Sequence, residues 1–354
     1  MNSLKTLKTR LGGISEMVDY DGETQRLRDL SARLGRNPLL VQGSTGNTSV
    51  KTGDTLWIKA SGQWLFQADA RDFLAGVSLN AALESVREGM DVPASAVLWG
   101  AGSPSIETAM HAVLPHRVVL HVHSVNAIAW AVREDGPRQL VARLRDIRWQ
   151  WIPYCASGIP LAKEIEAALR ACPTTDVFVL ANHGLVVCGE SCYAAEAMLA
   201  AVEARIAITP RPQPEPQWDR LDESAAETGW IRPELQPVHS LALDRASLRI
   251  TSQGVLYPCQ AIFLPDTVAA LLRHRRAAAV RVIEGEGVLF HPNCTRAQRE
   301  LARGLAETAQ RIDPAAPIRY LTAAEVSEAL DGPAYQVGPA GDRALSAKST
   351  GYWI

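Results

Sequence analysis

One segment of the chain excludes both a helix and a central β-strand. Residues 209–217 read TPRPQPEPQ, with four prolines in nine positions. Because proline fixes φ and has no backbone N–H, we expect an extended, stiff spacer here. The spacer divides the 354 residues into two parts that are each long enough to enclose a hydrophobic core. We therefore predict a first domain over residues 1–208, a linker over 209–217 and a second domain over 218–354.

The first part alternates short apolar runs with amphipathic segments. Residues 27–34 carry leucines at helical spacing, and residues 118–123 and 177–181 are short β-branched runs flanked by helical stretches. Residues 39–42 are predicted to form a strand, and residues 49–60 are predicted to form a β-hairpin. Strands that alternate with helices predict a layered α/β fold.

The second part contains apolar elements of its own, which predict a smaller α/β domain. They cover residues 241–248, 255–264, 278–290 and 301–312. Within them, residues 281–290 match residues 177–187 in pattern, as a strand, a glycine turn and a strand followed by a helix. If Gly184 is placed on Gly287, Glu286 stands where the first segment has His183. The match is either an internal duplication that has lost its imidazole or a chance similarity of a common unit.

The composition excludes several classes of function. With 36 Lys+Arg against 38 Asp+Glu, the chain has no basic excess with which to bind nucleic acid or an anionic membrane. No apolar run approaches the roughly 18–20 residues of a membrane span. Six sparse cysteines without a CxxC pair indicate reduced thiols in a cytoplasmic protein, and we interpret Cys188 and Cys192 as buried thiols. The basic segment 1–15 imitates a transit peptide, although a frayed arm is the simpler interpretation.

Two histidines end an apolar strand at alternate positions. His121 and His123 project to the same face of that strand, so both imidazoles can converge on one ion. His183 follows a second apolar strand and precedes a glycine, and it is a candidate third ligand if the two strand ends lie side by side. Three imidazoles with an open fourth position form a catalytic zinc arrangement, and the alternative is a group of hydrogen-bonded core histidines.

A glutamate begins the amphipathic helix that precedes this strand. Glu107 lies fourteen residues before His121, and an acidic residue in a first turn stabilises the helix dipole. The functional alternative is a carboxylate placed beside the metal as a general acid or base. His111, one helical turn further along, is expected to support Glu107 at most.

A loop rich in small and hydroxyl-bearing residues precedes the predicted hairpin. It reads GSTGNTS at 43–49, lacks the lysine of a P-loop and does not lead into a helix. It is therefore either a tight turn or an anion-binding nest, in which backbone N–H groups and Ser44, Asn47 and Ser61 would hold a phosphate. No GxGxxG motif follows a strand, so we expect no dinucleotide site.

Six motifs together carry a family resemblance. They are GSTGNTS (43–49), KASG (59–62), PSIETAMH (104–111), VLHVHS (119–124), PYCASG (153–158) and ANHGLVVCG (181–189). Their order over residues 20–208 resembles the class II aldolase/adducin family, which includes fuculose- and rhamnulose-phosphate aldolases and ribulose-phosphate 4-epimerase. The resemblance implies a three-layer α/β/α sandwich around a largely antiparallel sheet, with a bound Zn²⁺ or another divalent transition metal. It also implies a homo-oligomer, commonly a C4 tetramer, that acts on a small sugar phosphate.

The resemblance also implies a role for individual residues. The metal ligands would be His121, His123 and His183, and the catalytic acid/base would be Glu107. The residues at phosphate-holding positions are Ser44, Asn47, Ser61, Gly62 and Ser105. Ile106 departs from the pattern, because aldolases of the fuculose-phosphate type have a second serine there. Their interfacial tyrosine lies in a segment that is shorter in this chain, and we do not assign its role to Tyr154.

These residues lead to a retro-aldol hypothesis. A phosphorylated ketose would be cleaved between C3 and C4 through a metal-stabilised enediolate, and Glu107 would protonate the enediolate carbon. A sugar-phosphate 4-epimerase or a 3-keto sugar-acid phosphate decarboxylase would use the same site. A non-catalytic, adducin-like structural protein is the alternative from another class, although such a protein needs neither the histidines nor the glutamate. The second domain would cap the active site or extend the oligomer contact.

Overall fold

The structure is a computed structural model, and it describes residues 22–70, 72–100, 102–234, 236–264 and 279–331. The basic segment 1–15 and the end of the predicted second domain lie outside these residues. None of the helices that the structure describes is long and apolar enough to cross a membrane.

An eight-stranded sheet forms the centre of the first part within the described residues. Its strands are β1 (Asn47–Thr52), β2 (Thr55–Lys59), β3 (Leu74–Ser78), β4 (Val97–Trp99), β5 (Val118–Val122), β6 (Trp149–Ile152), β7 (Val177–Leu180) and β8 (Gly184–Gly189). The strand order is β4-β3-β2-β1-β5-β8-β7-β6, and every neighbouring pair is antiparallel except β6 and β7. The predicted sheet, largely antiparallel, is therefore confirmed.

Helices cover both faces of this sheet. One layer contains α1 (Gly22–Gly35), α4 (Val125–Ala131), α5 (Gly136–Arg143) and α7 (Cys192–Ile206), and the other contains α2 (Leu79–Glu88), α3 (Thr108–Val113) and α6 (Ile159–Ala171). Side chains of β5 alternate between the layers, since Leu120 and Val122 join the core under α1 and α7 whereas Val119 joins the core under α6. The three-layer α/β/α sandwich is confirmed, and His121 and His123 share a face with Val119.

Residues 39–42 do not form the predicted strand. The backbone N–H groups of Leu40 and Val41 donate to the Asn37 carbonyl at 3.0 and 3.1 Å, and that of Leu39 donates to the Asn37 side chain at 3.0 Å. These local hydrogen bonds satisfy backbone groups that a neighbouring strand would otherwise satisfy. The prediction of a strand here is wrong, whereas the predicted hairpin is formed by β1 and β2.

The second part adds helices and a two-stranded sheet. Its elements are α8 (Trp218–Thr228), α9 (Ser240–Leu243), α10 (Arg245–Gln253), α11 (Pro258–Phe263), β9 (Val280–Ile283), β10 (Gly287–Phe290), α12 (Arg296–Ala309) and α13 (Ala323–Asp331). Short 3₁₀ helices are Leu65–Gln67, Ala94–Ala96 and Gln236–His239. The proline-rich segment contains neither helix nor strand, and its Arg211 N–H donates to the Gln310 carbonyl.

The cores of the two parts are not separate. Trp64, Ile128 and Val132, all from the first part, are buried in one apolar cluster with Leu256 and Leu301 of the second. Helices α4 and α12 pack against each other in this cluster. The second part therefore lies directly against the layer that contains α4.

The two segments that match in sequence pattern have the same local structure. The turn between β7 and β8 and the turn between β9 and β10 each leave three residues outside the paired strands. Each turn has a central residue with positive φ, which is 52° at Asn182 and 76° at Gly285. Glu286 thus occupies in the second turn the position that His183 occupies in the first.

Candidate active site

The pairing of β5 with β8 brings three histidines together. His121 and His123 lie at the end of β5, with 3.1 Å between their Nε2 atoms. His183 lies in the turn that enters β8, which pairs with β5. The strand before His183, β7, does not lie beside β5 as expected, because β8 separates them. The residue after His183 has to be small, since a Cβ on Gly184 would lie 2.6 Å from the Val122 carbonyl oxygen and 3.3 Å from the His121 ring.

The three imidazoles form a compact, buried cluster. Their ring centroids are 4.9 to 5.1 Å apart, and one nitrogen of each lies within 4.8 Å of the others. His121 Nδ1 lies 3.1 Å from the Leu185 carbonyl oxygen, so Nδ1–H donates there and Nε2 keeps its lone pair for the cluster. Burial lowers the pKa of His183 to about 4 and lowers the pKa of His123 well below its ordinary value. Both imidazoles are therefore neutral at pH 7, as ligation requires.

Glu107 directs its carboxylate at this cluster. It is the residue immediately before α3, and its two oxygens lie 3.4 Å from His121 Nε2 and 3.3 Å from His183 Nε2. Asn47 Nδ2 donates to one oxygen at 2.7 Å, and the Ser157 hydroxyl donates to the other at 3.3 Å. Burial raises the pKa of Glu107, but the neighbouring imidazoles and the Asn47 hydrogen bond outweigh it, so the pKa lies below its usual range.

Asn47 connects Glu107 to a buried histidine. Besides Glu107, its amide nitrogen donates to Ser105 Oγ at 3.1 Å, and its oxygen contacts His111 Nε2. The Ser49 hydroxyl lies 2.7 Å from His111 Nδ1, and burial lowers the pKa of His111 to about 3. Neutral His111 with its proton on Nε2 satisfies every contact, because Nε2–H then donates to Asn47 and Ser49 donates to Nδ1. His111 contacts the support of Glu107 rather than the carboxylate itself.

A cavity of about 110 Å³ opens beside Glu107, His123 and His183. All five residues at the predicted phosphate-holding positions line it, namely Ser44, Asn47, Ser61, Gly62 and Ser105. Asn47 and Ser105 use their side chains within the Glu107 network, so the polar groups left toward the cavity are mainly those of residues 44–46 and 61–62. A larger concavity of about 470 Å³, between α12 and the turn at residues 37–39, shares no lining residue with this cavity.

A buried lysine lies beneath the two polar loops. Lys59 Nζ donates to the carbonyl oxygens of Ser44 at 2.7 Å and Gln63 at 2.9 Å, and thereby joins the loops. Burial lowers the pKa of Lys59 to about 8, although Glu107 opposes this. Lys59 lies within the KASG motif, yet sequence reasoning did not identify it as a site residue. Its ammonium group supplies positive charge next to the cavity without facing bulk solvent.

The second part supplies one wall of the cavity. Pro258, Cys259, Ile262 and Phe263 of α11 line it together with Ile106, so this wall is largely apolar. Cys259 Sγ lies 3.6 Å from His123 Nδ1. Sequence reasoning missed α11 because nothing in residues 258–263 has a metal-site or catalytic spacing, and only the packing of the second part brings them here.

The nitrogen donors fit a divalent metal ion. His121, His123 and His183 would hold it through neutral imidazole nitrogens, with Glu107 beside them and the cavity at an open fourth position. Three protein ligands and one open position is the usual pattern of a catalytic zinc site, and a structural site would be closed by a fourth protein ligand. The same set also suits other divalent transition metals.

Several known proteins are similar to part of this chain. The curated relative YuxG of Bacillus subtilis strain 168, named an uncharacterized oxidoreductase, is 28% identical over 180 residues, which are 45% of this chain and 26% of YuxG. The chain thus matches about a quarter of the length of that relative. The N-terminal class II aldolase domain of a conserved Thermoplasma acidophilum protein is 24% identical, with a TM-score of 0.48 over 56% of this chain and 98% of that one. The L-fuculose-1-phosphate aldolase of Thermus thermophilus is 18% identical, with a TM-score of 0.36 over 58% of this chain and 97% of that one.

The family assignment rests on the match to a family profile. The Class II Aldolase and Adducin N-terminal domain matches residues 25–209, which is more than half of the chain and includes all six motifs. Class II aldolases generally use a divalent metal, and among the described residues the His121, His123 and His183 cluster could bind one. The protein belongs to the class II aldolase and adducin family.

Proposed function

We propose that the protein is a divalent-metal-dependent aldehyde-lyase that cleaves a phosphorylated ketose or a related sugar. The observation that carries the proposal is the position of the Glu107 carboxylate, which lies within 3.4 Å of His121 and His183 and lines the cavity. A carboxylate beside a metal and open to a cavity can move a proton at the carbon next to a carbonyl. We propose Zn²⁺ as the ion and His121, His123 and His183 as its ligands.

Different residues of the chain would stabilise charge, transfer a proton and bind the phosphate. An ion bound to the imidazoles would supply Lewis acidity and stabilise the negative charge that develops when the carbon–carbon bond breaks. Glu107, held by Asn47 and Ser157, would return a proton to the carbon that the cleavage leaves electron-rich. The loops at 44–46 and 61–62, joined by Lys59, would bind the phosphate of the substrate and keep the sugar in one orientation.

A panel of substrates tests this proposal. The purified protein with zinc would be incubated with ketose 1-phosphates and with sugar-acid phosphates, and released dihydroxyacetone phosphate would be followed with a coupled reductase. We expect turnover of at least one ketose phosphate and strongly lowered turnover by Glu107→Gln. Absence of released dihydroxyacetone phosphate from every ketose phosphate would contradict the lyase assignment.

A decarboxylase is the second candidate, and one observation favours it. Among the described residues, those that line the cavity include no tyrosine, and the Tyr154 ring lies outside it against Arg319. Retro-aldol cleavage needs a base that accepts the proton of the C4 hydroxyl as the aldehyde forms, whereas carbon dioxide leaves without this proton transfer. Loss of CO₂ from a 3-keto sugar-acid phosphate in the same panel would identify this activity, and inversion of the substrate at C4 without release would identify an epimerase.

An adducin-like structural role makes a different prediction about metal. Such a protein has no use for three buried imidazoles around one point, so it need not bind an ion. Measurement of bound metal in the purified protein, before and after addition of zinc, separates the two classes. We expect about one equivalent of metal per chain, and absence of binding would reject the enzymatic proposal.

We further propose that the protein is a cytoplasmic homo-oligomer, a tetramer by family resemblance, without a nucleic-acid or membrane partner. We also propose that residues 209–217 separate a catalytic domain from a C-terminal domain. Light scattering of the intact chain tests the oligomeric state. A monomeric protein would contradict the proposed oligomer.

A further inference from the structure

The second part of the chain contacts His123 directly and also contacts the residue before His183. That residue is Asn182, which belongs to the first part of the chain. Its side-chain nitrogen donates to the carbonyl oxygens of Leu256 and Arg319, both at 2.8 Å, and its oxygen accepts from Arg319 Nη1 at 3.0 Å. These three hydrogen bonds tie the side chain of this fully buried residue to the second part.

This anchoring matters for His183 because Asn182 has an unusual backbone. Its φ is 52°, the left-handed region that few residues other than glycine adopt without cost. Within the turn, the backbone N–H of Asn182 donates to the Ala131 carbonyl and that of His183 donates to the Leu180 carbonyl. The hydrogen bonds to residues 256 and 319 stabilise this turn conformation, and the turn determines where His183 places its ring.

The direct contact with His123 is made by Cys259 of α11. Its sulfur lies 3.6 Å from His123 Nδ1, the ring nitrogen that points away from the cluster, because Nε2 faces His121. In the described residues Cys259 is not among the side chains that converge on the candidate ion position, so it supports a ligand and is not a fourth ligand.

We propose that the second part of the chain is a functional component of the metal site, in which Asn182 positions His183 and Cys259 orients His123. The proposal rests on the metal-binding part of the proposed function. Residues 256–259 and 319 lie outside residues 25–209, the segment that matches the family profile. This chain therefore supplies to its own metal ligands a support that its family domain does not contain.

Metal affinity is the property that such support controls. Hydrogen bonds to the far side of a ligating histidine fix its tautomer and ring orientation, and their loss weakens metal binding about 10–100-fold. Packing alone predicts another result, because a residue that only stabilises the fold would lower the free energy of unfolding without a selective effect on affinity. The two roles are distinguishable by measuring both quantities on the same variants.

The test uses Asn182→Gly and Cys259→Ala in the full-length protein. Glycine accepts positive φ, so Asn182→Gly removes the anchoring side chain and leaves the turn unstrained. The Co²⁺ dissociation constant would be measured by chelator competition, together with the visible absorption of bound Co²⁺, which reports ligand geometry. We expect about 10–100-fold weaker binding and an altered spectrum for each variant. Cys259→Ser should restore part of the affinity, because a hydroxyl also hydrogen-bonds imidazole.

Glu325→Gln is the matched control. It removes the ion pair between Glu325 and Arg319 but leaves the contacts of Arg319 with Asn182 intact. We expect its affinity to stay within about twofold of wild type. If Asn182→Gly does not fold, the Co²⁺ affinity of Cys259→Ala is the remaining test. Cys259 lies at the cavity wall, so its truncation should leave the fold intact.

The outcomes separate this proposal from the proposed function. Unchanged Co²⁺ affinity in both variants, with wild-type protein binding Co²⁺, would overturn the role of the second part and leave the lyase proposal standing. Tight binding by wild type without turnover of any sugar phosphate would overturn the lyase proposal alone. A wild-type protein that binds neither Co²⁺ nor Zn²⁺ would overturn both.

Discussion

Replacement of Asn47 by alanine should separate two roles that this residue could have. The sequence resemblance assigns Asn47 to a phosphate-holding position, whereas in the structure its amide hydrogen-bonds Glu107, Ser105 and His111. If the amide positions Glu107, the variant loses a hydrogen bond to a charged carboxylate, worth about 1.5–3 kcal/mol. Expressed in turnover, this loss corresponds to a fall in kcat of roughly 10–150-fold.

The same substitution leaves a buried donor without an acceptor. His111 Nε2–H loses the Asn47 oxygen, and an unsatisfied buried donor costs about 1–3 kcal/mol. We therefore expect the free energy of unfolding, measured in urea, to fall by about 2–4 kcal/mol. The pKa of Glu107 should rise toward its ordinary value, which would move the acidic limb of the pH–rate profile to higher pH.

The assay compares kcat and KM of Asn47→Ala with those of Ser44→Ala. Ser44 lines the same cavity from the same loop, and its side chain is not among the groups that hydrogen-bond Glu107 in the described residues. Its loss should therefore raise KM and leave kcat nearly unchanged. A raised KM with unchanged kcat in Asn47→Ala would refute the positioning role and return Asn47 to phosphate binding.

Three further predictions follow from the site. Glu107→Gln should keep metal binding in equilibrium dialysis but lower turnover about 10²–10⁴-fold, and unchanged turnover would remove Glu107 from the mechanism. In metal-free protein, His111 and His183 have pKa values of about 3 and 4, below an ordinary 6.5, so the unfolded state binds more protons and stability is lost as pH falls from 6.5 toward 4. Urea unfolding should show a loss of about 2 kcal/mol from each between pH 7 and pH 5, and equal stability at both would contradict their burial as neutral groups. Gly184→Ala should weaken metal binding, because its Cβ would lie 2.6 Å from a carbonyl of the neighbouring strand, whereas Gly22→Ala, with no atom within 4 Å, should not.

Local patterns predicted the part of the site that depends on one strand or one helix. His121 and His123 project to the same face if residues 118–123 form a strand. Their alternate spacing was therefore enough to predict that their rings converge. Alternating elements predicted a layered α/β fold, whereas the largely antiparallel sheet was implied by the family resemblance that the six motifs carry. Proline-rich residues 209–217 contain neither helix nor strand, as their composition predicted.

Contacts that depend on strand order or on distant packing could not be predicted. The sequence does not predict that β8 lies between β5 and β7 in the sheet. This strand order places His183 beside His121. Cys259 meets His123 across 136 positions of sequence, through the packing of α11. Asn47 was assigned by its motif, and only the register of β1 on β5, with Asn47 opposite His121, shows that its amide reaches Glu107.

The apolar cluster shared by the two parts has a consequence for biosynthesis. Synthesis proceeds from the N-terminus, so a nascent chain that has emerged only to residue 217 leaves Trp64, Ile128 and Val132 without Leu256 and Leu301 to cover them. Such an intermediate exposes an apolar surface to chaperones and to other nascent chains. Because α11 and the anchors of Asn182 also emerge late, the histidine cluster would gain its contacts with the second part only after most of the chain has left the ribosome.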